Sequence, residues 1–342
     1  MHHTLGILVI RNDKLGDFML AWPALALLRA SVPDAHIAVL VPAYTAPLAK
    51  ICPFVDEVLI DPKLQGDWHS GRALANILRP KGFDAVITLF SRFDTGLVVW
   101  SAGIPYRLAP ATKLAQLFYN HKLKQRRSES AKPEYEYNLD LVKQYLQDSD
   151  HRELPLPAPP YLHFEKSEIQ ALERQFRQTH GISDSQRLVF VHAGHGGSAN
   201  NLSPAQYADL IRGLRSHSGH HIVLTAGPDE EKQVQMLSEL LTGIPHGVYV
   251  SREGLVRFAK HLQFCDVFIS GSTGPLHVAG ALNRNTTAFY PRRRSSTALR
   301  WQTINEPGRR LAFMPPDGVA ESDMMAIDLV AAAAEISEKF LQ

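Results

Sequence analysis

Four short segments join glycine to polar side chains at the end of an apolar run. Arg11-Asn-Asp-Lys-Leu-Gly-Asp17 sets two carboxylates and two cations around Gly16. That is more polar chemistry than a turn needs, and it lies where α/β proteins place their ligands. Taken alone, Asp17 reads as a helix N-cap. Phe268-Ile-Ser-Gly-Ser-Thr-Gly-Pro-Leu-His277 leads from an apolar run through two glycines into a helical pattern. Free N–H groups and the positive end of a helix dipole suit a phosphate there. Thr273 adds a hydroxyl donor, Gly271 and Gly274 permit close backbone approach, and His277 falls in the first helical turn. A plain strand-to-helix turn with a Ser or Thr cap is the competing reading. His192-Ala-Gly-His-Gly-Gly-Ser-Ala-Asn-Asn201 offers many donors but matches neither a Walker loop nor Gly-x-Gly-x-x-Gly. A flexible glycine loop explains it equally well. Leu224-Thr-Ala-Gly-Pro-Asp-Glu-Glu-Lys232 ends in acids that a helix dipole favours anyway, and that can also bind the hydroxyls of a ribose or sugar.

Each segment needs a strand before it and a helix behind it, and the hydrophobic pattern supplies both. Strand-like runs at residues 5–10, 37–41, 55–60 and 85–88 alternate with helical stretches at 18–31, 45–51, 68–78 and 94–101. This alternation predicts a parallel sheet covered on both faces. Pro23 falls near the first turn of its helix, where a missing N–H is tolerated. Residues 153–160 then hold four prolines and suit a stiff connector. The pattern restarts with strands at 188–192, 221–225, 266–270 and 287–290. Helices are expected at 167–179, 204–215 with Ser203 as its cap, 230–241, 276–282 and 322–340. The expected layout is an α/β domain over residues 1–152, a linker over 153–164, a second α/β domain over 165–321, and a final helix within 322–342. Ligands of doubly wound sheets bind beyond the carboxyl ends of strands, so two facing sheets would share one cleft.

The bulk composition narrows the function classes. The 342 residues are 45% hydrophobic and 20% charged, the profile of a globular protein with room for two cores. A net charge of +2 makes no global case for nucleic-acid binding. Cys52 and Cys265 stand alone among apolar residues and read as buried thiols in a reducing compartment. No run resembles a signal peptide or a membrane span, so a cytoplasmic location is expected. Basic residues gather at Lys113, Lys122, Lys124, Arg126 and Arg127, with Arg92 and Arg107 upstream. They read as a solvated face, and the neighbouring residues 114–119 as a core helix, with contact to lipid as the alternative for both. Asp148-Ser-Asp150 has the form of a metal-binding Asp-x-Asp but reads as helix termination; His217-Ser-Gly-His-His221 reads as a turn before a strand.

Leu8-Val-Ile-Arg11, Gly16-Asp17 and Pro23-Ala-Leu25 resemble the opening of the family 9 glycosyltransferases, which include the bacterial lipopolysaccharide heptosyltransferases. Pro33-Asp-Ala-His-Ile-Ala-Val-Leu40 extends the match. His192-Ala-Gly, Leu224-Thr-Ala-Gly-Pro-Asp-Glu-Glu231 and Ser272-Thr-Gly-Pro-Leu-His-Val-Ala-Gly-Ala-Leu282 are similar to the family's three C-terminal motifs, in the same order. The resemblance spans nearly the whole chain. It implies a GT-B fold, two Rossmann-like domains with parallel sheets facing an interdomain cleft. It implies inverting, metal-independent transfer of heptose from ADP-heptose to a Kdo or heptose unit of the lipopolysaccharide inner core, with no cofactor. Asp17 becomes the general base, kept ionised by the helix dipole, with Asp13 as the runner-up. The nucleotide sugar would lie on Gly194, His195, Gly196, Asn200, Glu230, Ser272, Thr273, Gly274, Pro275 and His277. Arg11, Lys14, Arg92, Arg107, Arg292 and Arg293 would meet the charge of the diphosphate or of an acidic acceptor. The acceptor is lipid-linked, so a basic first domain would favour peripheral contact with the cytoplasmic face of the inner membrane. Relatives suggest that the last helix packs back on the first domain.

Two departures bear on the donor. Heptosyltransferases usually carry Asp where this chain has Ser272. Many relatives have Lys or Arg before a Trp-Pro where this chain reads Asn200-Asn-Leu-Ser-Pro204. Arg292, Arg293 and Arg294 could supply the missing charge, and Arg300-Trp301 resembles the Trp-containing segment that follows in the family. A transferase or epimerase for another nucleotide sugar, and a catalytically silent nucleotide-sugar-binding protein, are the alternatives.

Overall fold

Gly6–Ile10 is buried at every position and forms β1 in a computed structural model of the chain. Residues 4–62, 68–194, 200–214 and 219–342 are described. The chain divides into two units. One comprises Met1–Arg127 with Ala131–Tyr161, and the other Ser128–Ser130 with Leu162–Gln342.

In the first unit β1 is followed by α1 (Leu15–Met19), α2 (Trp22–Ser31), β2 (His36–Pro42), α3 (Ala46–Ala49), β3 (Glu57–Asp61), α4 (Trp68–Leu78), β4 (Ala85–Thr88), α5 (Phe93–Ser101), β5 (Tyr106–Pro110), β6 (His121–Leu123) and α6 (Glu134–Asp148). All six strands pair in parallel, in the order β3-β2-β1-β4-β5-β6. The strand order reverses between β1 and β4, which places the Arg11–Asp17 segment at the switch point, where open α/β sheets bind ligands. The single helix expected over 18–31 is two. Pro23 has no N–H for the carbonyl of Met19, and its ring would meet that carbonyl in a continuous helix. So α1 stops at Met19, and α2 starts with Pro23 in its first turn.

The second unit repeats the plan. Its elements are α7 (Lys166–His180), β7 (Arg187–His192), α8 (Pro204–Gly213), β8 (His220–Ala226), α9 (Glu231–Leu240), β9 (His246–Val250), α10 (Leu255–Leu262), β10 (Val267–Gly271), α11 (Gly274–Ala281), β11 (Asn285–Phe289), β12 (Arg310–Phe313) and α12 (Leu329–Phe340). The order β12-β11-β10-β7-β8-β9 is again all parallel, with its reversal between β7 and β10. Ser203 caps α8 through a full capping box with Gln206, as expected. The last helix is shorter than expected, and its apolar side is taken up within its own unit. It packs on α8, and Ala332, Ala333, Ile336 and Phe340 join the core with Ile211 and Leu214.

Residues 114–119 are also not a core helix. Leu114–Phe118 is a short 3-10 turn laid on α5, and Leu114 and Leu117 point outward while Ala115 and Tyr119 are buried. Cys52 and Cys265 are buried free thiols, one in each unit, with burial pushing each thiol up to about 12. Among the described residues no helix is long and apolar enough to cross a membrane.

Candidate functional site

At the end of β1 the Arg11 guanidinium is buried and gripped on three sides. Its Nε donates to Asp13 Oδ1 at 2.9 Å. One terminal nitrogen donates to Glu134 Oε1 at 2.9 Å and to Asn138 Oδ1 at 3.2 Å, and the other donates to Asp17 Oδ1. Arg127 donates to the same Glu134 oxygen at 2.7 Å. Glu134 and Asn138 stand one turn apart at the start of α6, so both face Arg11. Asn138 also donates to the carbonyl of Leu20 at 3.1 Å, in the break that Pro23 forces between α1 and α2. The Tyr44 hydroxyl accepts from Leu15 N at 3.0 Å and donates to the Asp13 carbonyl at 3.2 Å, which fixes the entry into α1. Phe90, just past β4, presents its ring 5.7 Å from the guanidinium.

Asp17 is the third residue of α1, and the N-cap is the exposed Lys14, so the capping reading of Asp17 does not hold. The carboxyl is nearly buried and is pushed up to about 6. Burial is the main cause, Arg11 opposes it, and Asp13 and Glu134 reinforce it. The sequence leads one to expect a carboxylate held ionised by the helix dipole; the structure adds a desolvation that pushes it the other way. The group is still largely ionised at neutral pH, and a value near the working pH suits a general base. Glu134 is one of the charges holding that value up. Glu134→Gln should move the acid limb of the pH–rate profile to lower pH, as measured by steady-state rates between pH 4.5 and 8.

The other expected cations of this unit divide. Arg92 makes a two-point contact with Asp94 at the start of α5, at 3.1 and 2.6 Å. Arg107 lies near the start of β5, at the amino end of its strand, whereas Arg11 follows the carboxyl end of β1. Its guanidinium is spent on the carbonyls of Ile104, Pro105 and Phe118. It is a strut for the loop, which corrects its assignment as a ligand-facing charge.

In the second unit β7 lies between β8 and β10, and His192 is in register with Thr225 on one side and Ser270 on the other. Three of the glycine-containing segments therefore emerge side by side from the carboxyl ends of adjacent strands. His192 is buried, with Nδ1 at 3.1 Å from the Thr225 carbonyl and Nε2 at 3.4 Å from Glu230 Oε2. Burial lowers its basicity, and Glu230 opposes the shift. Glu230 also accepts from Gly227 N at 2.9 Å. Its carboxyl lies against Gly194, where an added Cβ would fall 2.2 Å from the Glu230 carboxyl carbon. The far end of a glutamate can swing away, so Gly194→Ala should fold normally and displace that carboxylate. Its loss of nucleotide-sugar affinity in calorimetry should match that of Glu230→Ala, with little change in melting temperature.

The β10–α11 segment has the form expected for an anion site. Thr273 is the N-cap of α11, but its side chain caps nothing and instead pairs with Ser270 Oγ at 2.8 Å. His277 is buried, and burial pushes it down to about 4, so it is neutral at physiological pH. Its Nδ1 is buried and has no hydrogen-bond partner among the described residues. Ser272, Gly274 and Pro275 are partly exposed at the same turn. Gly271 was expected to allow a ligand close to the backbone. The structure fills that space with Asn201, whose Oδ1 would lie 2.4 Å from an added Cβ. Asn201 donates to the carbonyl of Ala193 at 3.1 Å and accepts from Leu202 N at 2.9 Å and Tyr207 Oη at 2.7 Å. It joins the β7 loop to α8 and to the end of β10, a role missed in the sequence, where Asn200 was singled out. Asn200 is exposed, and His195, Gly196 and His217 lie outside the described residues.

Beyond β11, Arg292 is held by Asp317 and by the carbonyl of Pro316 at 2.8 Å. Arg293 is exposed, with Ser322 Oγ at 3.4 Å, and is the freer of the two to meet an anion. Asp148 ends α6 and is engaged by Tyr106, His121 and Gln144, in keeping with helix termination. No group of side chains that could hold a metal ion occurs among the described residues.

Comparison with known proteins identifies the family and the fold. The family model "Glycosyltransferase family 9 (heptosyltransferase)" matches residues 71–306. A Haemophilus influenzae protein provisionally described as a glycosyltransferase is 48% identical over 336 residues, covering 97% of this chain and 95% of that protein. Lipopolysaccharide heptosyltransferase 2 of Escherichia coli is 26% identical over 290 residues, covering 83% of this chain and 82% of that protein. The structure of E. coli ADP-heptose lipopolysaccharide heptosyltransferase II superposes with a TM-score of 0.78 at 22% identity, over 99% of both chains. That likeness bears on the fold: two six-stranded parallel α/β units of the GT-B class.

Proposed function

This chain belongs to glycosyltransferase family 9, and from that premise we propose that it transfers heptose from ADP-heptose to a Kdo or heptose unit of the lipopolysaccharide inner core, inverting the anomeric carbon without a metal. The observation that carries the donor side is the meeting of the Gly194, Glu230 and Ser272–His277 segments at the carboxyl ends of neighbouring strands. The names of its heptosyltransferase relatives support ADP-heptose as the donor.

The residues present can perform such a reaction. An acceptor hydroxyl hydrogen-bonded to the Asp17 carboxylate gives up its proton as its oxygen attacks the anomeric carbon. A bond forms from that oxygen to the carbon, and the bond from the carbon to the diphosphate oxygen breaks. Charge growing on the leaving diphosphate is met by the uncapped N–H groups of α11, by Thr273 and by Arg293. His277, being neutral, contributes a hydrogen bond rather than a charge. Glu230 is suited to accept from donor hydroxyls. Ser272 offers a short hydroxyl where the family usually has a carboxylate, so the sugar is the part of the donor on which this chain most differs.

Calorimetric titration with ADP, UDP, GDP, CMP and ADP-heptose tests the donor. Tighter binding of ADP and ADP-heptose than of the others is expected. Preference for another nucleotide would retain the transferase and the Asp17 base but remove heptose.

A further inference from the structure

Behind the donor segments stands a buried chain of polar groups to which the transfer reaction assigns no part. His192 ends β7, and Thr225 lies beside it in register near the end of β8, so their side chains share one face of the sheet. Both are almost fully buried, at 3% and 1% exposure. Phe258 and Phe268 flank the imidazole, with ring centroids 6.4 and 6.2 Å away. Its Nδ1 has the Thr225 carbonyl at 3.1 Å and the Thr225 hydroxyl at 3.2 Å, and its Nε2 has Glu230 Oε2 at 3.4 Å. The same Glu230 oxygen accepts from Gly227 N. Two donors from different directions would thus fix one oxygen of the carboxylate, provided that Nε2 carries a proton.

A neutral imidazole has one N–H and one bare nitrogen, and the partner of one nitrogen decides where the proton sits. Burial lowers the basicity of His192, which favours the neutral ring. A proton on Nδ1 would go to the Thr225 carbonyl and leave the Nε2 lone pair facing a carboxylate in a nearly buried pair, which is repulsive. With the proton on Nε2 the ring donates to Glu230, and the Thr225 hydroxyl turns its proton to Nδ1. The other acceptor within reach of that hydroxyl, the Val191 carbonyl at 3.3 Å, already belongs to the ladder of the sheet. The Thr225 carbonyl then lies beside a bare Nδ1, a weaker repulsion than a full negative charge beside a bare Nε2.

We infer that Thr225 and His192 are positioning residues for the donor: the Thr225 hydroxyl fixes His192 as the Nε2–H tautomer, and that N–H aims the Glu230 carboxylate at the hydroxyls of the nucleotide sugar. The inference rests on the reading of Glu230 as the group that accepts from donor hydroxyls, and it names what holds that group ready. Both residues act through Glu230.

Nitrogen-15 NMR of the full chain labelled at histidine reads the tautomer at neutral pH, with the His192 signals identified by their absence from His192→Gln. A proton on Nε2 and a bare Nδ1 are expected, and Thr225→Val, which keeps the shape and removes the hydroxyl, should move the proton to Nδ1. A wild-type proton on Nδ1 alone, or on both nitrogens, would overturn the inference. Calorimetric titration with ADP-heptose reads the consequence. Glutamine sets an amide nitrogen where Nε2 stands, whereas asparagine sets one where Nδ1 stands. His192→Gln should therefore bind within about threefold of wild type, and His192→Asn roughly tenfold to 100-fold more weakly, the usual worth of a hydrogen bond to a charged group. Added to Glu230→Ala, the two substitutions should have equal effects, because the carboxylate they act through is gone. Equal melting temperatures of the two amide variants would separate this difference from folding. Equal affinities of the two in the presence of Glu230 would overturn the inference. Should Glu230→Ala bind ADP-heptose as the wild type does, the reading of Glu230 as a donor ligand fails and takes the inference with it; the wrong tautomer removes the inference alone.

Discussion

Asp17→Asn is expected to lower the rate of glycosyl transfer by about 10²–10⁴-fold, the usual contribution of a positioned general base. Nucleotide-sugar binding should be unaffected, because the donor segments belong to the second unit. The variant should not melt earlier at pH 7. The Asp17 carboxyl stands at about 6 in the folded chain, against about 3.9 when unfolded. Between those values the folded state binds more protons, so this group adds stability as pH falls through 6 and has added all of it below the unfolded value. At pH 7 the desolvated carboxylate is a net cost that asparagine removes, while its amide oxygen can still accept from Arg11. Arg11 keeps Asp13 and Glu134 in any case. Thermal melts at pH 7 and pH 5 read this directly: the wild type should gain on the variant as pH falls. In wild-type kinetics the same protonation should appear as a one-proton loss of kcat below about pH 6.

Arg11→Met should have the largest structural effect. Breaking a buried ion pair by removing one partner costs about 3–5 kcal/mol, and Arg11 serves three carboxylates, two of them nearly buried. Without the guanidinium, Asp13, Asp17 and Glu134 repel one another. Asp17 then moves further up, and the acid limb of the pH–rate profile shifts to higher pH, so that part of the rate lost at pH 7 returns at pH 8–9. Lysine should not rescue the site, since one ammonium cannot reproduce bonds made in three directions by a rigid fork. Chemical denaturation measures the stability loss, and the pH profile separates it from the loss of a base. The shift is opposite in sign to that of Glu134→Gln, and the pair of profiles shows whether the buried cluster sets the basicity of Asp17.

The parts of the fold that were legible were those whose burial leaves a signature in one short window. The central strands are continuous apolar runs because both faces are covered, and β1, β2, β4, β7 and β10 lie where those runs stand. The edge strand β6 is three residues reading His-Lys-Leu, and β9 begins His-Gly, so neither carries such a run. Local chemistry was legible too: Ser203 with Gln206 is a cap written in four residues. Contacts across the chain were not. Arg11 and Glu134 are 123 residues apart and meet only because α6 packs against α2. Without that pairing, the Asp17 carboxyl reads as a dipole-stabilised anion rather than as a desolvated one. At Gly271 the close approach was foreseen, but its occupant, the Asn201 side chain, depends on how α8 seats the loop before it. For the last helix, the alanine-rich pattern foretold its existence, and only the packing on α8 shows which core it completes.

The most direct test of the central claim is release of ADP from ADP-heptose by the purified chain, with and without a lipopolysaccharide core acceptor lacking the heptose to be added. Release is expected to require the acceptor, to match the glycoside formed one for one, and to fall by at least about 10²-fold in Asp17→Asn. Consumption of the nucleotide sugar without acceptor, or transfer that survives Asp17→Asn, would contradict it.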